Sequence, residues 1–127
     1  MSCGRVLVVD DDVRILRALS SALGRAGFEV VCAEEPGAAI ALSETTAFDI
    51  VLADYHLGPA CGIDVVRHWK RVLGNQVYCA ILSGEDEEGT FDACMRAGAD
   101  KVFCKPMSPV NLREELQAAA RALKKAS

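Results

Sequence analysis

Arg5-Val6-Leu7-Val8-Val9-Asp10-Asp11-Asp12-Val13-Arg14-Ile15-Leu16 changes character part-way along its length. A short apolar run ends in three consecutive acids, and beyond them Ile15, Leu16, Leu19 and Leu23 recur at helical spacing up to Gly27. A short apolar run followed by a helical period reads as one βα unit. The alternation then repeats four times. Phe28-Glu29-Val30-Val31-Cys32 reads as a strand, and Pro36 to Thr45 as an Ala-rich helix with proline in its first turn. Ile50-Val51-Leu52-Ala53 ends at Asp54; a loop, Leu57-Gly58-Pro59-Ala60-Cys61-Gly62, leads to a helix carrying Val65, Val66, Trp69 and Leu73. Val77-Tyr78-Cys79-Ala80-Ile81-Leu82 ends at Ser83-Gly84, and Glu85-Asp86-Glu87-Glu88 opens a helix that stops at Gly98. Lys101-Val102-Phe103-Cys104 leads into Lys105-Pro106, and a last helix has Ser108 as N-cap, Pro109 in first position and Leu112, Leu116 and Leu123 on one face.

The first, third and fourth strands are continuous rather than alternating apolar runs, as parallel strands covered on both faces require. Right-handed crossovers then predict an α/β fold: a doubly wound, five-stranded parallel sheet in a three-layer (βα)5 sandwich, for which the flavodoxin-like strand order 2-1-3-4-5 is the arrangement that would set strands one and three side by side. The 127 residues are expected to form a single domain, 1–127, large enough to bury about two-thirds of its surface.

Composition removes several classes of function. Hydrophobic residues make up 51% and charged residues 25%, so the chain is not intrinsically disordered. A net charge of -4 gives no overall basic footprint for nucleic acid. No apolar run approaches the ~20 residues of a membrane span. The six cysteines are separated by 29, 29, 18, 15 and 10 residues, without any CxxC pair, so they are expected to be reduced core residues in a cytoplasmic protein rather than a disulfide framework or a zinc site.

Ligands of an open α/β sheet bind beyond the carboxyl ends of its strands. In this chain those positions hold Asp10, Asp11 and Asp12, then Asp54, Ser83 and Lys105. Strand order 2-1-3-4-5 brings Asp10, Asp11 and Asp54 together. Carboxylates about 5 Å apart repel by roughly 3 kcal/mol per pair at an effective dielectric near 20, which calls for a positive charge. An oxygen-lined acidic pocket suits Mg²⁺, and Lys105 and Ser83 on the opposite rim suit an anionic group. The set describes phosphoryl chemistry on a carboxylate. Asp12 has a simpler role available, as the cap of the first helix.

Val8-Val9-Asp10-Asp11-Asp12, Leu52-Ala53-Asp54, Ile81-Leu82-Ser83-Gly84 and Lys105-Pro106 together resemble the signature of response regulator receiver domains, at family spacing along essentially the whole chain. The resemblance implies that Asp54 accepts a phosphoryl group from the phosphohistidine of a sensor histidine kinase or phosphotransfer protein. It implies that Asp10, Asp11, Asp54 and the His56 backbone carbonyl hold Mg²⁺, that Ser83 and Lys105 bind phosphoryl oxygens, and that the Lys105-Pro106 bond is cis. Such a domain is a switch for an output domain or effector, not an enzyme on an external metabolite, and contacts neither nucleic acid nor membrane directly. The chain departs from the pattern at Gly58, where the family carries proline, and at Val102, where it carries an aromatic; Ser83 stands for the commoner threonine. His56 and Glu85 occupy positions that in the family tune phosphoryl lifetime. Arg67-His68-Trp69-Lys70-Arg71 reads as a solvated helix face with Trp69 inward. The alternative is a haloacid-dehalogenase-type phosphatase with Asp10 as nucleophile and Asp12 as acid/base, although no later acidic pair follows Lys105 and Asp54 goes unused.

Overall fold

Side chains on a strand alternate between faces, and in the central strands both sets are apolar. Val6, Val8, Ile50, Leu52, Ala80 and Leu82 point to one side, and Leu7, Val9, Val51, Ala53, Cys79 and Ile81 to the other, all buried. A sheet of this kind needs a helical layer on each face. The computed structural model, which describes residues 3–84 and 89–126, has that architecture.

The strands are β1 (Gly4–Val9), β2 (Phe28–Ala33), β3 (Ile50–Asp54), β4 (Tyr78–Ser83) and β5 (Lys101–Cys104), and the helices are α1 (Val13–Arg25), α2 (Pro36–Ala41), α3 (Gly62–Leu73), α4 (Thr90–Ala97) and α5 (Pro109–Ala126). All strand pairs in the sheet are parallel, in the order β2-β1-β3-β4-β5. Leu16, Leu19 and Leu23 of α1 and Leu112 and Leu116 of α5 cover one face; Ala39 of α2, Val65, Val66 and Trp69 of α3 and Cys94 of α4 cover the other. Because α1 and α2 lie on opposite faces, a crevice opens at the carboxyl ends of the adjacent strands β1 and β3.

The caps follow the sequence. The Asp12 carboxylate accepts from Arg14 N at 2.9 Å to start α1, and Ser108 Oγ accepts from Asn111 N at 3.0 Å to start α5. Two features differ from expectation, the second helix and the segment after Asp54, and the expected start of the fourth helix falls outside the described residues. The Ala-rich helix ends at Ala41 and tightens into a 3-10 turn over Leu42–Glu44. The fourth helix, as described, starts at Thr90 behind a left-handed Gly89 (φ 86°), and the acidic stretch 85–88 lies outside the described residues. The segment after Asp54 is a small antiparallel ribbon, His56–Leu57 against Ala60–Cys61, rather than an open loop. Its turn places Gly58 at φ +63°, a conformation closed to proline, whose ring fixes φ near -65°. Proline therefore stands one residue later, at 59.

The cysteines also differ. All six are free, but only Cys79 and Cys94 are buried, while Cys32 and Cys104 are exposed. Both exposed residues lie on edge strands, which are covered less completely than β1, β3 and β4. On α3, Trp69 is fully buried and Arg67 and Arg71 are exposed, but the face is not simply solvated. His68 Nε2 lies 2.8 Å from Ser43 Oγ, and Lys70 Nζ reaches Val77 O at 2.6 Å and Asp100 Oδ2 at 2.6 Å.

Candidate functional site

Three of the predicted residues end on one spot. Asp10 follows β1, Asp54 closes β3 and Lys105 follows β5. Lys105 Nζ donates to Asp54 Oδ2 at 2.5 Å, and the His56 amide donates to Asp54 Oδ1 at 3.1 Å. Asp54 is 6% exposed and Asp10 1% exposed. Asp10 Oδ1 accepts from the Asp12 amide at 2.8 Å, whereas its buried Oδ2 has no hydrogen-bond partner among the described residues. Burial is the main force lifting the Asp10 carboxyl from 3.8 to about 6; the Asp12 amide works against it, the negative Asp54 adds to it, and Lys105 lowers it.

Ser83 is buried at the end of β4, and its carbonyl accepts from Lys105 N at 2.7 Å, which ties the serine and lysine strands together at the rim. Lys105-Pro106 is cis. The backbone following Asp54 is pinned on both sides: Tyr55 N donates to Leu82 O at 2.8 Å, and Gly62 N donates to Tyr55 O at 2.9 Å.

Asp11 is exposed at the mouth of the crevice, facing the Gly58 turn: a Cβ on Gly58 would lie 3.8 Å from Asp11 Oδ2. Asp10, Asp11 and Asp54 thus share one end of the sheet, but among the described residues no three His, Cys, Asp or Glu side chains gather into a ready metal cage. The donor set still fits Mg²⁺, which takes only one or two carboxylates and keeps several waters. Its donors are hard oxygens, and the orphaned Asp10 Oδ2 is a buried acceptor that lacks a donor or cation.

Asp12 stands apart. Its carboxylate is occupied by its own helix start and by the Arg14 guanidinium, at 3.1 Å. It is unavailable as the acid/base that the phosphatase alternative requires.

One buried polar residue was not singled out in the sequence. Thr90 is 7% exposed at the start of α4. The signal for its inward position was the spacing of Thr90, Cys94 and Ala97, which are the buried residues of that helix.

Comparison with known proteins settles the family. The family model for the response regulator receiver domain matches residues 6–117. The chain belongs to this family. Among curated relatives, this receiver domain is 35% identical over 110 residues to the alginate biosynthesis transcriptional regulatory protein AlgB of Pseudomonas aeruginosa, covering 87% of this chain and 24% of that protein. It is 32% identical over 117 residues to the phosphate regulon transcriptional regulatory protein PhoB of the same organism, covering 91% of this chain and 51% of that one. The receiver domain thus spans a quarter to a half of these relatives. A CheY-like response regulator receiver domain protein from Methanospirillum hungatei JF-1 superposes with a TM-score of 0.90 at 26% identity, covering 97% of this chain and 98% of the other. None of these matches supports the phosphatase reading. No described helix is long and apolar enough to cross a membrane.

Proposed function

We propose that this receiver domain is a phosphorelay switch in which Asp54 takes a phosphoryl group from a phosphohistidine on a sensor histidine kinase or phosphotransfer protein in the cytoplasm. The observation that carries this reading is the Lys105 ammonium on the Asp54 carboxylate, beside a buried Asp10 oxygen without a partner.

Each side chain has a task. Asp54 supplies the nucleophilic oxygen, and its amide and lysine contacts fix where the carboxylate points. Lys105 moves its positive charge from the carboxylate to a phosphoryl oxygen as the P–O bond to Asp54 forms and the P–N bond of the donor breaks. The Ser83 hydroxyl donates to another phosphoryl oxygen. Asp10, Asp11, Asp54 and the His56 carbonyl would hold Mg²⁺, which supplies positive charge to offset the carboxylates and the transferring group. Positioning and charge compensation are then the whole of the chemistry.

The output passes to an output domain or effector through α4, β5 and α5, without an aromatic rotamer switch. Val102 has a single χ angle, and Phe103 points to the opposite side of the sheet, into the α1–α5 core.

Acetyl phosphate with Mg²⁺ tests the reading. Uptake of one phosphoryl group per chain, without turnover of a phosphate monoester, is expected. Sustained phosphate release from a monoester, with no labelled chain, would overturn it.

A further inference from the structure

In a parallel sheet each crossover helix runs back to the end at which the strands begin. Four helices bring cations there in their last turns: Arg25 of α1, Lys70 and Arg71 of α3, Arg96 of α4, and Lys124 and Lys125 of α5. Each suits the negative end of its own helix dipole, but the fold gathers them at one end of the molecule. Two acids at this end are already taken up, Glu29 by Arg5 at 3.0 Å and Asp100 by Lys70 at 2.6 Å. Asp49 has one carboxylate oxygen on the Arg5 amide at 2.8 Å, and Glu44 is exposed. Arg71, Arg121 and Lys125 are exposed and form no ion pair among the described residues. The carboxyl end of the sheet carries Asp10, Asp11, Glu34, Glu35 and Asp54, so the domain is electrically polarised although its net charge is only -4.

A cavity of about 460 Å³ opens at the basic end, between the ends of α3 and α5 and the segments leading into β1 and β3. Phe48, Leu73, Ala120 and Leu123 give it apolar walls, and Leu73 and Leu123 are only half-buried. Lys124 lines it too, with the exposed Asn75 and Gln76, whose side-chain amides have no hydrogen-bond partner among the described residues. Helix dipoles account for the cations but not for an apolar opening beside them. Apolar surface rimmed by polar groups is the mark of an interaction site.

We propose that this end of the domain docks an acidic segment of a partner protein. One apolar side chain of the segment fills the cavity, and carboxylates beside it face Arg121, Lys124 and Lys125, which are neighbours at i+3 and i+4 on α5. Asn75 and Gln76 pair with its backbone. The charge selects the occupant, because a basic surface attracts an anionic partner and rejects a cationic one. The apolar walls call for an anchor side chain, which the backbone of a nucleic acid does not supply. The surface lies at the opposite end of the sheet from Asp54, so the segment and a phosphodonor can be held together. The inference is independent of the phosphoacceptor reading.

Titration of the full chain with a peptide of glutamates around a central leucine, followed by amide NMR, tests it. Amides of residues 73–76 and 120–124 are expected to shift, while those around Asp10 and Asp54 stay silent. Glutamine in place of the glutamates, or serine in place of the leucine, should weaken binding by at least about threefold, and high salt should weaken it as well. Arg121→Glu combined with Lys125→Glu reverses two exposed charges. Binding to that variant should fall by about tenfold or more, while its other amides report an intact fold and its phosphoryl uptake from acetyl phosphate is unchanged. A peptide that moves none of these amides at millimolar concentration, or binds equally after the charge reversal, would overturn the inference. So would single-stranded DNA of mixed sequence that moves the same amides at lower concentration than the peptide, which would make this end a nucleic-acid surface.

Discussion

Gly62 approaches the Asp54 backbone so closely that a Cβ at this position would stand 2.2 Å from the Asp54 carbonyl oxygen and 3.1 Å from its carbon. The glycine is required by space, since α3 begins where the Asp54 backbone passes. No flexible side chain is available to give way, so the backbone of either α3 or β3 has to shift.

Gly62→Ala should therefore destabilise the fold by about 1–3 kcal/mol, the usual cost of overpacking, and should slow phosphoryl uptake as well. Urea unfolding and labelling with acetyl phosphate check the two effects. A variant of wild-type stability would mean that the backbone yields freely there.

The raised Asp10 carboxyl makes a prediction about pH in the metal-free protein. Its folded value, about 6, lies above the ordinary 3.8, so between these values the folded state holds the proton more tightly than the unfolded chain. Stability from this group is full below the lower value and is lost as pH rises through the upper one. Asp10→Asn keeps an oxygen for the Asp12 amide and removes the charge. Above pH 6 it should raise stability by on the order of 1 kcal/mol after solvent screening at the mouth of the site, with little change near pH 4. Urea unfolding at the two pH values measures this, and equal effects at both would contradict it.

Lys70 ties the end of α3 to the starts of β4 and β5, through Val77 O and through an Asp100 carboxylate that also accepts from Cys79 N at 2.8 Å. Lys70→Met should cost about 2 kcal/mol by urea unfolding, in the range of hydrogen bonds to charged groups. Phosphoryl uptake at Asp54, at the other end of the sheet, should be unchanged; a neutral substitution would show that water replaces the lysine.

Much of this arrangement could be read in the sequence because parallel strands impose strong patterns. Val6 to Val9 and Ile50 to Ala53 are apolar on both faces, and the residues that follow must fall at one end of the sheet. Asp10, Asp54, Ser83 and Lys105 were legible for that reason. Properties set by neighbours distant in sequence were not. The exposure of Cys32 and Cys104 depends on which strands become edges. The Gly58–Pro59 turn depends on one positive φ, and the partners of His68 and Lys70 come from other elements.

Divalent binding should depend on Asp11 and Asp54 and on no cysteine, since the six thiols are free and scattered. Calorimetric titration with Mg²⁺ should give one site, with affinity reduced at least about tenfold in Asp11→Ala. Retained affinity in that variant would remove Asp11 from the ligand set.

Asp54 alone should accept the phosphoryl group, and intact mass after incubation with acetyl phosphate and Mg²⁺ checks this. The wild type should gain the mass of one phosphoryl group, and Asp54→Asn should gain none. Equal labelling of the Asp54→Asn variant would contradict the account and direct attention to Asp10.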